Sequence, residues 1–152
     1  MKKLLLVIVV MLFSIFLVSP GMANETMGRY GYIQVDSAAI DVIDLDEAVF
    51  NVSYRVDDNV DFLVILLGKN DLKDKLCDIF DLDNCRFETV GMDHARFFSD
   101  IHSYNYGEGT YWFPERNFRT EIPNLTIKAQ DSFKEFDSVQ EFPGIGYFYE
   151  NP

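Results

Sequence analysis

Basic side chains are scarce in this chain, with 13 Lys and Arg against 25 Asp and Glu and a net charge of −12. That field makes nucleic acid and anionic lipid surfaces poor partners and leaves cations, basic proteins and neutral glycans open. Cysteine is nearly absent, and two residues cannot build a disulfide-dense scaffold. Histidine is as rare. His94 and His102 are eight positions apart, about 26 Å along an extended strand, too far to share one metal. No G-x-S-x-G turn, H-E-x-x-H helix, P-loop or dinucleotide glycine pattern occurs, so the common catalytic signatures are missing. Nothing in the sequence calls for a cofactor. A second long apolar run and a C-terminal lipid-anchoring signal are also lacking.

What is present begins at the N-terminus. Lys2 and Lys3 precede an apolar run from Leu4 to Val18, which Ser19-Pro20 breaks before Gly21-Met22-Ala23. Small residues three and one before a cut after Ala23 fit a signal peptidase. The 15-residue run is shorter than the roughly 20 residues of a membrane span. Residues 1–23 therefore read as a signal peptide with Asn24 as the mature N-terminus; an uncleaved anchor is the alternative. The remaining residues 24–152 have the length of one domain with its own core. Losing the two lysines takes their net charge to −14, which also serves solubility. In an exported chain Cys77 and Cys85 are most simply a disulfide, closing a short loop worth roughly 2.5 kcal/mol. Their spacing matches no common zinc pattern.

From Tyr30 onward the hydrophobic pattern has a period of two. Ala48, Phe50, Val52, Tyr54 and Val56 face a core, and Asp57-Asp58-Asn59 supplies a turn. The run Phe62–Leu67, apolar on both faces, reads as a central strand. A helix follows at about residues 70–80, capped by Asn70 or Asp71, with Leu72, Leu76, Ile79 and Phe80 as one apolar stripe. Asp78, Asp81 and Asp83 crowd its negative end. A strand from His94 runs on through Tyr104 to Tyr106, and Gly107-Glu108-Gly109 reads as a three-residue hairpin loop into Thr110–Phe113. Short strands follow at 118–122, 125–129, 132–139 and 145–149, with Pro123 at a strand start or edge. The expected fold is mainly β, an immunoglobulin-like antiparallel sandwich with one inserted helix.

Three sequons, at Asn24, Asn51 and Asn124, are candidate glycosylation sites; the strand pattern turns Asn51 and Asn124 away from the core. Alternation puts Tyr104, Tyr106, Trp112 and His102 on the outer face of the hairpin, a candidate binding platform for sugar rings or a protein. The competing reading is that these rings are core. Asp57, Asn59 and Asp61 resemble the start of a calcium loop, but Phe62 and Gly68 stand where its glycine and glutamate belong. Asp41, Asp44, Asp46 and Glu47 form a second acidic run. The expectation is an exported binding or assembly module of the cell envelope or exterior, meeting a protein or glycan at the cell surface. A secreted hydrolase acting on envelope polymers and a calcium-dependent adhesion module are the alternatives.

Overall fold

A computed structural model describes residues 28–130 and 132–149. The order is β1 (Arg29–Tyr30), β2 (Ile33–Asp44), β3 (Glu47–Val56), α1 (Asp58–Leu67), α2 (Asn70–Ile79), β4 (Cys85–Val90) and β5 (His94–Asp100). It continues with β6 (Tyr104–Gly107), β7 (Thr110–Phe113), β8 (Arg116–Ala129), β9 (Ser132–Phe142) and β10 (Ile145–Phe148).

The period-two residues of β2 and β3 build the centre. Ile33, Val35, Ala38, Ile40 and Val42 are buried on β2, and Ala48, Phe50, Val52 and Tyr54 on β3. A bulge between Val35 and Ser37 resets the alternation, so the apolar side chains on both sides of it reach the same core. Val49 is buried as well, between Asp41 and Phe98 in register. The large sheet has the order β4-β5-β3-β2-β8-β9, with β1 on the start of β2. Leu125–Ala129 of β8 lies parallel to Ala38–Val42; the other pairings are antiparallel. A three-stranded sheet, β10-β7-β6, contributes Phe113, Ile145 and Tyr147 to the same core. Phe113 meets Phe142 of β9 with ring centres 5.7 Å apart. The fold is thus mainly β, with sheets packed in a sandwich-like arrangement, and the parallel β2–β8 pair departs from the antiparallel sandwich expected.

Helix α2 closes part of the core. Leu72, Leu76, Ile79 and Phe80 are all buried, as the stripe requires. Phe80 meets Phe50 and Phe118 edge-on at 5.4 and 5.6 Å, joining the helix exit to β3 and β8. Cys77 and Cys85 are bridged, with Cα atoms 6.2 Å apart, inside the usual range. The bridge ties the last turn of α2 to the first residue of β4. Lys69 is the N-cap and makes no side-chain capping bond, so Asn70 and Asp71 are not the cap.

Residues 62–67 are not a strand. They belong to α1, so the described residues form two helices where one was expected. Asp57-Asp58-Asn59 starts this helix: Asp57 Oδ1 accepts the Asn59 N–H at 3.0 Å, and Asp58 and Asp61 sit in the first turn, where the helix dipole favours acids. That bond, with the Arg29 guanidinium nearby, also holds the Asp57 carboxyl below its ordinary pKa. A short apolar run carries no period of its own, so its flanks decide between strand and helix. Two further expectations change. The strand from His94 ends at Asp100, and β6 belongs to the other sheet. The segments on either side of Pro123 form one long strand, β8.

Candidate functional site

The small sheet has a wet face and a dry one. Phe113, Ile145 and Tyr147 are buried on the dry face, where the Tyr147 hydroxyl bonds Ser103 Oγ at 2.8 Å. Burial raises the pKa of that hydroxyl. On the other face Tyr104 stands opposite Trp112, Trp112 opposite Gly146, and Phe148 opposite Thr110. Side chains in register share a face, so the rings of Tyr104, Trp112 and Phe148 lie on one side. Tyr104 is 58% exposed, and Tyr106 and Phe148 are each 72% exposed. Trp112 is half-buried.

Glycine makes the seat of Trp112. A methyl group at Gly144 would fall 2.7 Å from Trp112 Cζ2, and one at Gly146 would fall 3.5 Å from Cε3. The indole therefore lies across bare backbone of the β10 segment. The hairpin tip is short: Glu108 and Gly109 have φ of 52° and 76° and form a two-residue turn. The expected three-residue loop is thereby corrected. Gly107 pairs with Thr110, and the bulge between Asn105 and Gly107 displaces Tyr106 from that pairing. The Asn105 side chain accepts the Gly107 N–H at 2.7 Å, and the Gly109 carbonyl accepts the Tyr149 N–H at 2.9 Å. Both bonds brace the tip.

His102 lies on the connection from β5 to β6, and its side chain is 90% exposed, 3.7 Å from Asp46. It borders a cleft of about 580 Å³ lined by Asp46, Asp81, Asp83, Asp100, Tyr104 and Arg116, among others. Arg116 lies 5.6 Å from the centre of the Phe113 ring. Burial lowers its pKa, against the opposing pull of Asp81 and Asp83. Two of the acids at the exit of α2 are matched internally: Arg119 bonds Asp81 at 2.6 Å and lies 3.7 Å from Asp78, which also accepts the Tyr30 hydroxyl. Asp44 caps its own loop through the Leu45 N–H, Glu47 pairs with Arg86, and Asp57 serves α1. Among the described residues no three His, Cys, Asp or Glu side chains are grouped to hold a metal ion.

His94 bonds the neighbouring Asp93 at 2.6 Å, which depresses the Asp93 pKa. It sits at the start of β5, away from His102 beyond the strand's other end. Asn124 is exposed and its side chain reaches the Asp36 carbonyl at 3.4 Å. Asn51 is half-buried and accepts from Arg96 at 3.3 Å. Asn24 and the leader lie outside the described residues.

Sequence reasoning missed Phe148. The signal was there: Ile145 and Tyr147 alternate with Gly146 and Phe148, and only the first pair is buried. Among the described residues no helix is long and apolar enough to cross a membrane. No family model, curated protein or solved structure matches the chain.

Proposed function

We propose that the chain is an exported binding module of the cell envelope or exterior that holds a protein or glycan against the aromatic face of its small sheet. One observation carries the reading. Tyr104 and Phe148 expose their rings on the same face as Trp112 of a braced three-stranded sheet, with Tyr106 exposed near its tip, while the opposite face holds that sheet in the core. Rings fixed on a rigid sheet present large contact area at little entropic cost, the property of stacking platforms and interface anchors. The signal-like N-terminus supports export, and the acidic surface fits a neutral or basic partner.

The other two readings have less behind them. The cleft carboxylates of Asp46, Asp81, Asp83 and Asp100 are exposed, whereas hydrolysis wants acids in an enclosed pocket. Calcium adhesion wants converging oxygens, and Asp44, Glu47 and Asp81 turn theirs to a loop N–H and to arginines. For the sandwich itself, the antiparallel run β4-β5-β3-β2 facing a second sheet supports an immunoglobulin-like origin, and the parallel β2–β8 pairing weighs against it.

The test is retention of the exported chain on isolated envelope of its source cell. Tyr104→Ala with Trp112→Ala should abolish retention while circular dichroism stays native and the domain still melts cooperatively, a little lower for the lost Trp112 packing. Full retention by the double variant would refute the reading, and global unfolding would place these rings in the core.

A further inference from the structure

Helix α1 is built inside out. Val64 is buried and Val60 packs against the core, and these two residues, four apart, form a narrow inward stripe. Phe62, Leu63, Ile65 and Leu66 are 68, 47, 64 and 64% exposed. At about 100° per residue they span a continuous arc of roughly 160°. Isolated exposed leucines need no explanation, but four adjacent large apolar side chains on one helix mark an interaction surface.

Charge decides what covers it. Asp57, Asp58 and Asp61 gather at the N-terminal end of the helix, and its last turn has no basic residue. Asp58 and Asn59 are exposed and, by helical spacing, continue the apolar arc at that end. Asp57 is paired with Arg29 at 3.0 Å, while Asp58 is exposed and has no ion-pair partner among the described residues. A second copy would bring another chain of net charge −12, and an anionic bilayer would meet the same repulsion. The complementary surface is an apolar groove with Lys or Arg where the first turn of α1 would rest, the helix-in-groove mode with anchors at i, i+3 and i+4.

We infer that α1 is a docking helix for a partner protein with such a groove, held through Phe62, Ile65 and Leu66 and oriented by Asp58. This surface is separate from the aromatic face. The Asp46 and Leu45 carbonyls, at the start of β3, accept from Ile101 and Ser103 just before β6, whereas α1 follows the end of β3. The two surfaces therefore flank a strand about 30 Å long.

The experiment uses the full chain, exported by its source cell, with p-benzoylphenylalanine at position 62. Irradiation is followed by mass-spectrometric mapping of the cross-linked peptide. The expected product joins α1 to an apolar segment of another protein with Lys or Arg alongside it. Leu66→Asp should remove the product, and Asp58→Lys should lower its yield about two- to fivefold, as a rim charge does. Both positions are exposed, so both variants should fold, and circular dichroism checks this. Cross-links to a second copy, to lipid or to nothing would overturn the inference, as would a yield indifferent to Asp58→Lys. Retention on the envelope through Tyr104 and Trp112 is read separately, so either surface can fail alone.

Discussion

Gly144 and Gly107 are a matched pair that isolates the seat of Trp112. Their φ angles are 92° and 88°, so alanine pays a similar backbone penalty at each, about 1–2 kcal/mol. Their surroundings differ. A Cβ at Gly107 meets nothing within 4 Å, whereas one at Gly144 meets Trp112 Cζ2 at 2.7 Å, Cε2 at 2.8 Å and the Phe113 carbonyl at 2.9 Å. Forcing extra volume into a filled site costs about 1–3 kcal/mol more. Gly107→Ala should therefore cost about 1–2 kcal/mol and Gly144→Ala about 2–5 kcal/mol in urea unfolding. At roughly 4 °C of melting temperature per kcal/mol for a domain of this size, the two variants should melt about 4–12 °C apart. Trp112 is the only tryptophan, so its emission reports directly on the displacement: it should shift in Gly144→Ala and stay native in Gly107→Ala. Trp112→Ala combined with Gly144→Ala should recover part of the loss, because the carbonyl contact remains, and the double-mutant cycle measures the ring's share. Equal costs with unchanged emission in both alanine variants would show that Trp112 does not lie on Gly144 and Gly146.

Replacing Cys77 and Cys85 by serine should lower stability by roughly 2.5 kcal/mol for so short a loop; intact mass of the protein from its source cell, alkylated before and after reduction, should show a start at Asn24 and no free thiol. Tyr54, buried with its hydroxyl donating to Gly91 O at 3.0 Å, has its pKa pushed up to about 12, chiefly by that burial. The protonated form is the one the fold favours, so this contribution is complete below about pH 10 and is lost as pH rises through about 12, on the order of 2 kcal/mol. Tyr54→Phe should flatten alkaline unfolding over that window, and an unchanged slope would refute the assignment. On α1, Val64→Ala should cost about 1–3 kcal/mol and Leu66→Ala no more than about 0.5 kcal/mol; equal, large losses at both would restore the central-strand reading.

The sequence made the sheet centre legible because a half-buried strand declares itself by alternation, as 48–56 does. It also made α2 legible, because Leu72, Leu76, Ile79 and Phe80 have a helical period. Residues 62–67 have neither period, and what settled them was a cap at Asp57 whose Asp-Asp-Asn reads equally well as a turn. The break after Asp100 was hidden because Ile101 continues the inward alternation of β5 while the chain is already leaving that sheet. Strand order is a long-range property, and nothing local in Leu125–Ala129 distinguishes a parallel neighbour from an antiparallel one. At the candidate site, Tyr104 opposite Trp112 and Asn105 opposite Tyr111 followed from the hairpin, whereas Tyr106 opposite Thr110, implied by the same loop, is overturned by the bulge that pairs Gly107 there. Phe148 needed the third strand, which joins β7 from more than thirty positions along the chain.

The most direct measurement is the emission of Trp112 while the purified chain is titrated with soluble surface polysaccharide and envelope protein fractions of its source cell. A binding face centred on Trp112 should give a saturable emission change with one fraction. Tyr104→Ala with Tyr106→Ala should weaken it at least about tenfold, from roughly 1 kcal/mol or more per anchoring ring, with melting unchanged. Binding that leaves the emission of Trp112 unmoved, or that survives the loss of both tyrosines, would place the recognition surface elsewhere on the chain.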